Sequence, residues 1–94
     1  MYDVVFISYD ELNAEEHFSL LSNKLGRSTR LKRVHGVRGI HAAHRIAAKT
    51  VDTEMFYVVD GDAMVVDNFN FNYQVPDDQK RDIHVFRAKI LSMI

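Results

Sequence analysis

The sequence predicts an α/β fold, a mostly parallel sheet flanked by helices, in one small domain over residues 1–94. Three features predict it. Short β-branched apolar runs alternate with segments of helical periodicity, as in βαβ units. The run Val4-Val5-Phe6-Ile7 is continuously apolar, as a strand buried on both faces should be. It and a later run, Met55-Phe56-Tyr57-Val58-Val59, end abruptly in polar clusters, where the carboxyl ends of parallel strands meet solvent.

Taken in order, Val4–Ile7 is the first strand and Ser8-Tyr9-Asp10-Glu11 the loop that follows. Asn13 offers a helix N-cap, with Glu16 three residues on as in a capping box. Phe18, Leu21 and Leu25 recur at i, i+3 and i+7 on one helical face, and Gly26 fits the position that ends the helix. A second strand is expected around Leu31 to His35, then a loop over Gly36-Val37-Arg38-Gly39. Ile40 to Lys49, rich in alanine, reads as a second helix with Ile40, Ala43 and Ala47 as its buried stripe. His41, His44, Arg45 and Ala48 lie on the neighbouring flank. Thr53 to Val59 is the third strand, running into Asp60-Gly61-Asp62, and Ala63 to Val66 a further short one. Asn68 to Tyr73 alternates polar and aromatic residues, the period of a half-exposed strand. Pro76 to Asp82 is a charged connection, and Ile83-His84-Val85-Phe86 a last strand.

Composition narrows the function classes. A net charge of −1 over 94 residues argues against a generic nucleic-acid binder, which would present a basic face. The absence of cysteine excludes disulfides and thiolate metal sites, leaving Asp, Glu, His and backbone oxygens as metal donors. No apolar run approaches the roughly 18 residues that span a bilayer. Met1-Tyr2-Asp3 lacks the basic and apolar regions of a signal peptide, so the expected location is the cytoplasm, with no membrane partner.

Chemistry concentrates at Asp60-Gly61-Asp62. Two aspartates at i and i+2 after a buried strand can project to one side, and the glycine between them permits a tight turn and close ligand approach. Adjacent carboxylates repel unless a cation offsets them, and Mg²⁺ or Mn²⁺ prefers such hard oxygen ligands. The alternative is a plain polar turn, since Asp-Gly is a common turn pair. Arg38 stands just before a helix start, where its charge opposes the helix dipole; an anion would compensate it, and backbone N–H groups at that terminus bind phosphate. Gly39, His41, His44 and Arg45 are placed to join in, or are ordinary surface and packing residues. Arg27, Arg30, Lys32 and Arg33 form a basic patch that is either a solvated face or, through Lys32 or Arg33, a border of the ligand pocket.

The string Phe56-Tyr57-Val58-Val59-Asp60-Gly61-Asp62-Ala63 resembles the DXD motif of GT-A glycosyltransferases. Together with Val5–Glu11, Arg33–Ile40 and Ala43-His44, it resembles small glycosyltransferase-like proteins of bacteriophages, cyanophages among them. The likeness spans nearly the whole chain and is strongest between Val4 and Val66. It implies a minimal GT-A, Rossmann-like fold and a nucleotide-sugar donor, a UDP-sugar, held with Mn²⁺ or Mg²⁺. It implies that Asp62 binds the metal directly, while Asp60 serves it through water or binds the ribose hydroxyls. It implies that Ser8, Tyr9, Asp10 and Glu11 hold base and ribose, with Tyr9 stacking on uracil and a carboxylate accepting from its N3–H. GT-A enzymes often take a further metal ligand from a later strand, which singles out His84 here; an ordinary strand histidine is the equal alternative. If phage-encoded, the protein is expected in the host cytoplasm.

Ordinary GT-A domains continue well past the DXD to build the acceptor site, whereas this sequence ends at Ile94. Donor binding is therefore a firmer expectation than transfer. The acceptor stays open, as do slow donor hydrolysis and a site completed by a homo-oligomer. Other readings are a non-catalytic nucleotide-sugar-binding module, a small interaction domain with no ligand, and a Toprim-like Mg²⁺-dependent nucleic-acid enzyme using Glu11 with Asp60 and Asp62. Haloacid-dehalogenase phosphatases carry their Asp-X-Asp after the first strand, not the third, and are set aside.

Overall fold

A computed structural model describes residues 1–65, 69–79 and 89–90. The elements follow the order β1 (Asp3–Ser8), α1 (Ala14–Lys24), β2 (Leu31–His35), α2 (Ile40–Thr50), β3 (Phe56–Asp60), β4 (Ala63–Met64), a 3₁₀ turn (Asp77–Gln79) and β5 (Lys89–Ile90). The first three strands form a parallel sheet in the order β2-β1-β3, with Val5 opposite Lys32 on one side and Val58 on the other. β4 and β5 pair antiparallel as a separate two-stranded sheet. A parallel three-stranded sheet with helices on both faces is compatible with a Rossmann-like fold. Among the described residues, no helix is long and apolar enough to cross a membrane.

β1 is central, and Val4, Val5 and Phe6 are wholly buried. Its alternating side chains feed two cores. Val4 and Phe6 pack with Leu21 of α1, Val59 and Phe71; Val5 packs with Val34, Ala43 and Ala47 of α2. The chain moves from β1 to β2 in one direction, then back across β1 to β3. With the same crossover hand, that reversal places successive helices on opposite faces. Residues Phe56, Val58 and Asp60 share the α2 face of β3, and Tyr57 and Val59 the α1 face.

Several sequence expectations need correction. Asn13 occupies the N-cap position of α1, but in the left-handed region (φ 66°) and without a side-chain capping bond, so the capping box with Glu16 does not form. Capping side chains work from an extended backbone, which Asn13 lacks. The other end behaves as expected: Gly26 (φ 65°) lets Arg27 N–H reach Ser22 O at 2.8 Å and its own N–H reach Asn23 O at 3.1 Å, a Schellman closure.

Ile40 is 75% exposed rather than part of the α2 stripe, because the first turn of α2 lines a cleft at the sheet's end while Ala43 and Ala47 meet the sheet. β3 starts at Phe56, not Thr53, because the Thr53 hydroxyl donates to Met55 O and accepts from Asp3 N–H in a bend.

Residues 69–73 form no strand. Asn70 Oδ1 accepts from Asn72 N–H, and Phe69 and Phe71 anchor the segment on Tyr57 with ring centroids 5.9 and 5.1 Å away. The aromatic alternation comes from that anchoring; Asn68 lies outside the described residues. So do Val66 at the end of the expected Ala63 strand and the expected last strand with His84.

The end of the sheet away from the cleft is tied together by Asp3, which is 1% exposed. Its carboxylate accepts from Asp52 N–H at 2.7 Å and pairs with Arg30 at 3.3 Å and Lys32 at 3.9 Å. Burial alone would raise its pKa, but the Asp52 N–H, Arg30 and Lys32 hold it below the ordinary carboxylate range.

Candidate functional site

In the order β2-β1-β3, successive connections leave β1 in opposite directions, so the crevice between the carboxyl ends of β1 and β3 is a topological switch point. Ile7 pairs with Asp60 there, so the loops after both strands begin at the same level. A cleft of about 430 Å³ opens between them and the start of α2. Ser8, Tyr9, Asp10, Glu11, Arg38, Gly39, Ile40, His44, Asp60 and Asp62 are among its lining residues. Of the sequence-predicted site residues that are described, Gly61, His41 and Arg45 are absent from the lining. Gly61 is buried beneath it, His41 is exposed elsewhere on α2, and His84 lies outside the described residues.

Asp60 closes β3 on its α2 face, and the Gly61 turn returns Asp62 to the same cleft. Although Asp60 opens to the cleft, its pKa is raised, first because the surrounding protein withdraws water, then by the charges of Asp62 and Glu11; His44 acts in the opposite sense. His44 donates Nδ1–H to Ile40 O at 2.8 Å, which leaves Nε2 for other partners.

The turn is held from both sides. Glu11 Oε1 accepts from Tyr9 N–H at 2.7 Å, bending the β1 loop back toward β3. A Cβ placed on Gly61 would lie 2.7 Å from that same Oε1 and 3.1 Å from Ser8 Cβ, so a side chain here would displace the Glu11 carboxylate from its bond to Tyr9 N–H and press on Ser8. From α1, Nδ1 of His17 lies 2.8 Å from Gly61 O. His17 is buried, and sequence reasoning missed it. The available signal was a polar side chain on the apolar face of α1, four residues before Leu21.

Ser8 contributes differently from expectation. Its side chain faces away from α2: Arg33 Nε donates to Oγ at 3.1 Å, and Oγ lies 2.7 Å from His35 Nδ1. Arg33 is no border of the cleft either. It forms a two-pronged bond to Glu15, its guanidinium sits 4.9 Å from the Phe18 ring centroid and 5.6 Å from that of Phe6, and Glu15 raises its pKa. Lys32 is likewise remote, donating to Thr29 O and neighbouring Asp3. Strand parity puts Arg33 with Phe6 on the α1 face, away from the α2 side of the cleft.

Among the described residues, no set of three His, Cys, Asp or Glu side chains is arranged to hold a metal ion by itself. Two hard carboxylates that repel one another at a cleft floor do suit Mg²⁺ or Mn²⁺ sharing its shell with a phosphorylated ligand, for which one or two carboxylates suffice. No protein-family model, curated protein or solved structure matches this chain at a significant level.

Proposed function

We propose that the chain binds a nucleoside-diphosphate sugar, a UDP-sugar, together with Mn²⁺ or Mg²⁺, and acts as a GT-A-type glycosyltransferase. The observation that carries the reading is the convergence of Asp60, Asp62, the Tyr9–Glu11 loop and the start of α2 on one switch-point cleft. The parts correspond to those of such a donor. Tyr9, 42% exposed at the rim, offers a face for the base, and Asp10 an acceptor beside it. Arg38 and the N–H groups at the start of α2 suit the diphosphate. Asp60 and Asp62 would hold the metal, which when bound stabilises the departing diphosphate. The acceptor approaches from the open side of the cleft, and a second copy of the chain is a candidate to complete that side.

One observation favours a second reading. Glu11 shares the cleft with Asp60 and Asp62, as the acidic groups of a Toprim-type Mg²⁺ enzyme do. The donor-binding reading is preferred because Glu11 Oε1 is committed to Tyr9 N–H and packed over Gly61, rather than held out toward a cation.

Calorimetry with UDP tests the choice, with Mn²⁺ or EDTA, on the parent protein and on Asp62→Ala. UDP binding that requires the metal and weakens at least tenfold in Asp62→Ala is expected. A folded protein that binds no UDP overturns the reading, and Mg²⁺-dependent DNA binding would then favour the Toprim alternative.

A further inference from the structure

Among the described residues, His17 is the buried titratable side chain nearest the proposed site that the reading above leaves unused. An imidazole in an apolar interior is costly unless its polar atoms are partnered. At this position on α1, one turn before Leu21, leucine would satisfy packing alone. Instead Nδ1 lies 2.8 Å from Gly61 O, a buried contact joining helix α1 to the peptide between the two cleft aspartates. A carbonyl only accepts, so Nδ1 must carry the proton.

The same peptide is packed on its other side, where Glu11 Oε1 and Ser8 Cβ come within 2.7 and 3.1 Å of where a Cβ on Gly61 would stand. The Asp60–Asp62 turn is thus clamped between α1 and the β1 loop. Paired ligands need such support, since side chains behind a metal site set its affinity through orientation.

We infer that His17, as its Nδ1–H form, is the positioning residue that fixes Asp60 and Asp62 in their metal-binding arrangement. The inference rests on the metal-site reading above. His17 touches neither donor nor metal; it acts through the Gly61 carbonyl.

Mn²⁺ titrations in the presence of UDP, read by electron paramagnetic resonance, test it on the parent, His17→Leu and His17→Asn. Asn can place an amide N–H near the position of Nδ1. Mn²⁺ affinity should fall about tenfold or more in His17→Leu and stay within about threefold of the parent in His17→Asn. A structural role alone would not make the loss of affinity follow the lost N–H while melting temperature is unchanged. Parent-like Mn²⁺ binding by folded His17→Leu overturns the inference and leaves the site reading standing. A parent protein that binds no Mn²⁺ with UDP present overturns both. Imidazole ¹⁵N shifts of the unsubstituted protein decide the matter even if His17→Leu does not fold: protonated Nδ1 is required, and a neutral Nε2–H form overturns the inference.

Discussion

The carboxylate of Glu11 closes over the α-carbon of Gly61: a Cβ there would sit 2.7 Å from Glu11 Oε1, well inside contact distance. Two loops that are remote in sequence are therefore packed against each other through a missing side chain. Gly61→Ala should cost about 1–3 kcal/mol through overpacking and should weaken Mn²⁺-dependent UDP binding. In the Gly61→Ala background, Glu11→Ala should recover part of the lost stability, because Ser8 Cβ remains in the way at 3.1 Å. A double-mutant cycle by chemical denaturation reads the coupling directly; strictly additive losses would show that the two loops do not press on one another.

Asp60 should oppose folding near neutrality. Its pKa is raised in the folded protein above the ordinary 3.8, so the native state holds its proton more tightly than the unfolded chain does. The destabilisation is full above the folded pKa and fades as pH falls through that value toward 3.8. Asp60→Asn should accordingly stabilise the metal-free protein at pH 7, on the order of 0.5 kcal/mol given solvent screening in the cleft, and the gain should disappear in acid. Mn²⁺ should raise the melting temperature of the parent and not of the variant. Melting curves between pH 3 and pH 7, with and without Mn²⁺, provide the check.

Asp3 should show the opposite pH dependence. Its folded pKa is depressed, so its stabilising contribution is complete above the unfolded value of 3.8 and is lost as pH falls through the folded one. Asp3→Ala removes the acceptor for Asp52 N–H and the partner of Arg30, and should cost about 2–3 kcal/mol at pH 7. Ligand affinity of the folded fraction should be unchanged, because Asp3 is at the far end of β1 from the cleft. Urea unfolding and UDP calorimetry on the same samples separate the two effects.

Arg33→Lys probes the support behind β1. Lysine cannot reproduce the two-pronged bond to Glu15, and it gives up part of the guanidinium packing on Phe6 and Phe18. A loss of about 1 kcal/mol is expected, with UDP affinity close to that of the parent. A large drop in affinity with unchanged stability would instead place Arg33 in contact with ligand.

The cleft was legible in the sequence where local pattern and topology agree. A β-branched run that stops at Ser8 and another that stops at Asp60 announce two strand ends. Parallel alternation with helices puts both ends on one edge, and Leu31–His35 forms where its spacing between helices requires a strand. What escaped depends on facing. The Ser8 hydroxyl and Arg33 point to the α1 side of the sheet, a matter of parity fixed only when the strands pair. His17 bonds to a carbonyl that no local pattern connects to it. Asn13 has the right chemistry for a cap, but its backbone is left-handed because the loop from Glu11 must turn sharply into α1.

The placement of β1 between β2 and β3 also bears on how the molecule is made. The residues of β1, α1 and β2 are all present within the first 35, so their strand pairing closes a relatively short loop. Pairing β1 with β3, which sets residue 5 against residue 58, must wait for a much longer stretch of chain and for a larger loop to close. The two walls of the cleft are thus delivered at different times during synthesis, and the acidic turn arrives with the later one. On the proposed metal site, a cation gripped by that turn would hold the later of the two β1 pairings in place, so metal uptake would mark closure of the parallel sheet as well as readiness for substrate.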